Sequence, residues 1–198
     1  MAINQDIIPL SYKCHSLPNL YKGSTETNIN LEIYEYGPDA LEVKLLNTNY
    51  KMQWKALKKQ FLYLILCFSA YLTNFLLKPN HLSYIDTIFI IWLVPLLWRL
   101  NRLVEYEKFI FCYDFGLHLQ IQKFMGQKNR FVAACNIHDI VINEVLEDLD
   151  FRYLLILRTK GKLFLNKPII PIFTVFKPSY DCLCLVYKHL NKVMLINN

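Results

Sequence analysis

Two apolar runs, Phe61–Leu77 (FLYLILCFSAYLTNFLL) and Leu82–Trp98 (LSYIDTIFIIWLVPLLW), lie four residues apart in the middle of this 198-residue chain. Such a pair must be buried in a core or in lipid, so it restricts the fold more than any other feature. Each run has 17 residues, or about 25 Å as a helix. That is the short end of what crosses a hydrocarbon layer about 30 Å thick, and closer to endoplasmic reticulum membrane. The first run is uncharged and the second holds only Asp86. Lys51, Lys55, Lys58 and Lys59 precede the pair, Arg99 and Arg102 follow it, and the connector Lys78-Pro79-Asn80-His81 holds one Lys. Trp54, Trp92 and Trp98 supply rings suited to a headgroup layer. The pattern predicts a transmembrane helical hairpin over residues 51–102, with both termini cytosolic by the positive-inside rule. Buried core helices and a shallow re-entrant hairpin are the competing readings. Asp86, close after the connector, reads as an interfacial carboxylate rather than an ion site. Pro95 predicts a kink.

The charge is unevenly placed. The chain carries +6 overall, but residues 1–50 hold three basic and six acidic residues, while residues 51–102 hold seven basic and one acidic. Basic charge concentrated beside apolar runs favours anionic headgroups over nucleic acid. No zinc-finger spacing and no basic patch interleaved with aromatics appears, so no nucleic-acid partner is expected. The start, MAINQDIIPL, lacks a basic leader before an apolar core, so no cleaved signal peptide is expected. The six Cys are scattered and should stay reduced on cytosolic arms. Cys182 and Cys184 are the only close pair and lack the further ligands of a zinc site. No metal and no cofactor is expected.

The flanking arms divide the rest. Residues 1–50 form an N-terminal arm too short for a core of its own. Within it Asn30–Leu46 reads as two alternating strands around Gly37-Pro38-Asp39, a β-hairpin at 30–46, and Gln5–Thr27 reads as loop. Residues 103–198 are long enough to fold independently. Alternation predicts strands over Lys108–Asp114, Leu117–Lys123, Arg130–Cys135, Ile137–Leu146, Phe151–Arg158, Lys162–Leu165 and Ile169–Phe176. From Pro178 the period changes. Leu183, Val186, Tyr187, Leu190, Val193 and Met194 mark one helical face, with Asp181 in the first turn. The fold class expected is an α+β membrane protein: the two-helix transmembrane hairpin plus an antiparallel β barrel or sheet closed by a C-terminal helix, in pleckstrin-homology-like outline.

A search for chemistry finds little. None of the five Gly falls in a phosphate loop, and no His-Glu-x-x-His or Gly-x-Ser-x-Gly occurs. Asp139 and Glu144 stand five apart and so point to opposite faces of a strand. His138 and Asp139 are adjacent and diverge likewise. The chain reads as a binding or scaffolding protein. A lipid-headgroup-binding membrane module and a small integral membrane enzyme are the alternatives.

One stretch carries a resemblance. Glu105–Leu119 (EYEKFIFCYDFGLHL), Phe131, Ile137–Glu144 (IHDIVINE), Tyr153-Leu154, Lys177-Pro178, Asp181-Cys182-Leu183 and Tyr187 resemble the PIG-H family, across roughly residues 103–195. The resemblance implies a non-catalytic subunit of the complex that transfers N-acetylglucosamine from UDP-GlcNAc to phosphatidylinositol, the first step of GPI-anchor synthesis. It implies location in the endoplasmic reticulum membrane, a PIG-A-like catalytic subunit and other subunits as partners, and membrane lipid, phosphatidylinositol included, nearby. The positions matching the family's motif, and so candidate partner contacts, are Asp139, Ile140, Asn143, Glu144, Pro178 and Asp181. Asn143 and Glu144 could equally satisfy local backbone groups.

Overall fold

A computed structural model describes residues 11–17, 29–77, 82–147, 149–161, 165 and 167–196. In it β1 (Ser11–Leu17), β2 (Ile29–Glu35) and β3 (Ala40–Asn47) are followed by two helices, α1 (Tyr50–Leu77) and α2 (Leu82–Arg102). The chain then runs through β4 (Val104–Cys112), β5 (Gly116–Lys123) and β6 (Gly126–Ala133). A 3-10 turn at Ala134–Asn136 leads to β7 (Ile137–Glu147), β8 (Asp150–Thr159), β9 (Ile169–Pro171) and α3 (Tyr180–Ile196). All pairing is antiparallel. The first six strands form one sheet in chain order, and β7–β9 form a second. The helical pair is therefore an insertion between two neighbouring strands, since β3 pairs directly with β4.

Alternation explains which faces meet. Ile29, Leu31 and Ile33 of β2, Leu41, Val43 and Leu45 of β3, and Phe109 and Phe111 of β4 all project into one core. Ile140 of β7, Leu155 and Leu157 of β8 and Ile170 of β9 meet them from the second sheet. One stripe of α3 (Leu183, Val186, Leu190, Val193) completes that core. Burying side chains of this kind contributes about 1.5–3 kcal/mol each. Ser179 caps α3, its Oγ accepting the Cys182 N–H at 3.4 Å. Gly116 turns the chain between β4 and β5 at φ +128°, where a Cβ would lie 2.1 Å from the Val132 carbonyl oxygen.

The expected two-helix transmembrane hairpin is overturned. Among the described residues no helix is long and apolar enough to cross a membrane. The first ten positions of α1 hold Lys51, Lys55, Lys58 and Lys59, and α2 contains Asp86 and Pro95. Each uninterrupted apolar stretch thus stays at or below 17 residues, the lower limit of a span. With the hairpin goes the multi-pass placement drawn from it. At their base the two helices pack instead on a small cluster of Leu57, Leu96 and Leu103, bordered by Tyr50, Trp54, Leu64 and Leu100. Trp54 stacks on Phe124 in the β5–β6 turn at 4.3 Å between ring centroids. The Arg102 guanidinium lies 3.7 Å from the centroid of Trp98. Asn47 ties the junction together: its side-chain N–H groups donate to Gln53 Oε1 and the Val104 carbonyl, and its Oδ1 accepts the Asn49 N–H.

The antiparallel β structure expected of the C-terminal arm is present, closed by α3. Two sheets enclose the core, and N-terminal strands extend the larger one. Residues 11–17, read as loop, form β1 against β2; residues 5–10 and 18–27 of that reading lie outside the described residues. So do residues 162–164 of the expected strand at 162–165, whose last residue, Leu165, is in a turn. The strand expected over Ile169–Phe176 ends at Pro171, for a reason found in Glu107.

Candidate functional surface

Glu107 lies in β4 in phase with the inward-facing Phe109 and Phe111, and is only 1% exposed. Its carboxylate collects four donors. Oε1 accepts the Thr174 N–H at 2.7 Å and the Thr174 hydroxyl at 3.2 Å. Oε2 accepts the N–H groups of Val175 and Phe176 at 3.1 and 3.2 Å. These donors are drawn off any strand ladder, so the segment after Pro171 becomes a tight loop leading into α3, with Lys177 at φ +41°. Burial raises the Glu107 pKa, and the backbone and hydroxyl donors oppose that rise. Every hydrogen-bonding partner of the carboxylate is a donor, an arrangement suited to the ionised form. Sequence reading passed over Glu107, although its inward phase was visible.

A second polar group fastens α3 to the large sheet. Glu35 of β2 meets His189 Nδ1 at 2.7 Å, the Ser11 hydroxyl at 3.0 Å and Lys192 Nζ at 3.6 Å. The hydrogen bond with His189 is the chief reason its pKa lies below the ordinary carboxylate value, with Ser11 and Lys192 adding to it.

The motif positions fall in two places. On β7, Asp139 pairs across the ladder with Arg158 through both its oxygens. That hydrogen bond is the main cause of its lowered pKa. His138 Nδ1 lies 3.5 Å from Asp139 Oδ2 and is itself exposed. Ile140 is in the core. Asn143 and Glu144 are exposed. Asp139 and Asn143 share one face of the strand. Glu144 continues the face of Ile140 and Ile142 toward the β7–β8 turn, where Leu146, Leu149 and Phe151 are also exposed. Pro178 and Asp181 are elsewhere, at the start of α3, the first buried and the second exposed. Tyr180 there packs against Tyr153 of β8 with the rings tilted by 51° and 4.6 Å between centroids. Burial pushes the Cys182 thiol up to about 12, which makes it a poor nucleophile. Among the described residues no group of three or more His, Cys, Asp or Glu could hold a metal ion.

From the middle of β4 to the loop after β9, the chain has a recognisable pattern. Residues 109–174 match the PIG-H family, described as the PIG-H component of the GPI-GlcNAc transferase complex. The resemblance read from Ile137–Glu144 and its surroundings thus holds across β5 to β9. No curated protein and no solved structure matches the chain. The PIG-H match begins just after Glu107 and ends at Thr174, the residue whose N–H and hydroxyl Glu107 accepts.

Proposed function

We propose that this chain is a non-catalytic subunit of a GPI-GlcNAc transferase complex, which receives and positions the glycosyltransferase chain. The observation that carries this reading is the PIG-H match over residues 109–174. The side chains support it. Asp139 is tied to Arg158, Glu107 is buried against backbone donors, and Glu35 fastens α3, so these carboxylates serve the scaffold. The reaction served is transfer of N-acetylglucosamine from UDP-GlcNAc to phosphatidylinositol at the endoplasmic reticulum membrane. The subunit's contribution is proximity: holding the transferase beside its lipid acceptor raises their effective concentration. The decisive experiment is purification of the tagged full chain from membranes in mild detergent. Co-purification of a glycosyltransferase chain with UDP-GlcNAc:phosphatidylinositol activity is expected. A chain that purifies alone, with normal transferase activity in cells lacking it, refutes the reading.

A further inference from the structure

The geometry points to the outer edge of β7 as the place where a partner chain of the complex adds an extended, basic strand. This deepens the subunit reading above and rests on it. The second sheet has the order β7-β8-β9, so β7 is hydrogen-bonded on one side only. The turn before β8 has two residues, with Glu147 opposite Asp150. In such a hairpin the flanking pair exchanges both backbone bonds and the pattern then alternates. Residues 141, 143 and 145 therefore bond to β8, while 140, 142, 144 and 146 turn their N–H and C=O groups outward. Bonds on the far side of β8 agree with this phase. The Leu155 carbonyl accepts the Ile172 N–H at 2.9 Å, and the Thr159 N–H donates to the Pro168 carbonyl at 2.8 Å. Among the described residues no backbone group satisfies the outward positions of β7.

The other free edges carry the features by which proteins discourage strand addition. β1 contains Lys13, β6 contains Lys128 and Arg130, and β9 is three residues long and ends in Pro171. β7 runs for 11 residues without Lys, Arg, Pro or Gly, and its one register shift lies at its start, between Ile137 and Asp139. An edge of this kind binds an extended segment through its main chain, and the flanking side chains select the sequence. The sequence selected here is basic. Of the acidic residues of β7, Asp139 is already held by Arg158, whereas Glu144 is exposed and has no ion-pair partner among the described residues. A second copy of β7 brings no Lys or Arg to meet Glu144, so a strand of another chain bearing Lys or Arg among apolar residues is the better complement.

The test compares amide hydrogen exchange in the full chain alone and in the detergent-purified complex. Exchange in the segment 140–146 should slow by at least about tenfold on assembly. Glu144→Pro, which removes an outward N–H but no bond to β8, should release the partner with an unchanged unfolding midpoint. Glu144→Lys keeps the backbone intact and covers the case in which the proline variant does not fold. It should weaken assembly several-fold at low salt and less at high salt. An intact complex in which 140–146 exchanges as fast as in the free chain overturns the strand-addition proposal and leaves the subunit reading standing. Protection in the isolated chain that grows with concentration assigns the edge to a second copy and also overturns it. If the wild-type chain captures no transferase chain, the subunit reading itself fails.

Discussion

Replacing Glu107 by Gln tests whether one carboxylate organises the loop between β9 and α3. Glutamine has nearly the same volume, so the packing of Phe109, Phe173 and Phe176 is preserved and the perturbation is confined to hydrogen bonding. The amide oxygen can still accept two of the four donors, but the amide nitrogen then faces the other two. Two bonds to a charged acceptor are worth about 3–6 kcal/mol at about 1.5–3 kcal/mol each. Part of this is returned, because the wild-type protein holds a buried charge at a cost of several kcal/mol. Burial raises the pKa of Glu107, the direction this cost implies. The exposed Thr174 can also turn to water, whereas the Phe176 N–H is buried. The balance is a loss of about 2 kcal/mol, since unsatisfied donors left behind cost about 1–3 kcal/mol each. Urea unfolding of the full chain in mild detergent, followed by near-UV circular dichroism, should show a lower midpoint with an unchanged slope. Amides 174–176 should exchange faster. A variant within about 0.5 kcal/mol of wild type, with unchanged exchange at 174–176, would refute the reasoning and leave the loop held by apolar contacts alone.

Three further outcomes follow from the same structure. Gly116→Ala places a methyl group against the Val132 carbonyl at a positive φ, and thermal unfolding should report a loss of at least about 3 kcal/mol; a smaller loss would contradict the close approach. Asn47→Ala removes the hydrogen bonds that Asn47 makes with the Val104 carbonyl and the Asn49 N–H. It should cost about 2–4 kcal/mol in urea unfolding, and a neutral result would show that Asn47 does not tie the helical insertion to the sheet. Glu35 has a folded pKa below its unfolded one, so its contribution is present above the unfolded pKa and is lost as pH falls through the folded value. Glu35→Gln should therefore flatten the acid limb of a stability-versus-pH curve, and an acid limb as steep as wild type would contradict the role given to the His189 contact.

Local patterns identified much of the C-terminal half. The Phe115-Gly116 turn marks the β4–β5 hairpin, the alternation of Ile137–Leu146 marks β7, and the change of period after Pro178 marks α3. What escaped depends on groups distant in sequence. β1 has no clear alternation and is a strand through its pairing with β2, a case of tertiary context outweighing local preference. The strand expected to Phe176 stops at Pro171 because a carboxylate in β4 takes the N–H groups it would have used. His189 and Glu35 meet across 154 residues, a separation no local pattern spans. The helical pair was correctly placed as two helices but not in its setting. Composition alone does not distinguish an apolar run of minimal spanning length that crosses a membrane from one that does not. Of the motif positions, the sequence showed that Asp139 and Glu144 face opposite ways. It could not show that Arg158 occupies Asp139, or that β7 lies at an edge.

The central claim is that the chain serves a transferase without performing the chemistry. The most direct measurement is UDP-GlcNAc:phosphatidylinositol transferase activity in membranes from cells lacking the chain, with add-back of wild type and of a His138→Ala/Asp139→Asn double variant. The account predicts no activity without the chain, and restoration by both forms, because the exposed His138–Asp139 pair is not catalytic. Activity that persists without the chain contradicts the subunit role. Activity restored by wild type but not by a folded, complex-forming double variant contradicts the non-catalytic role.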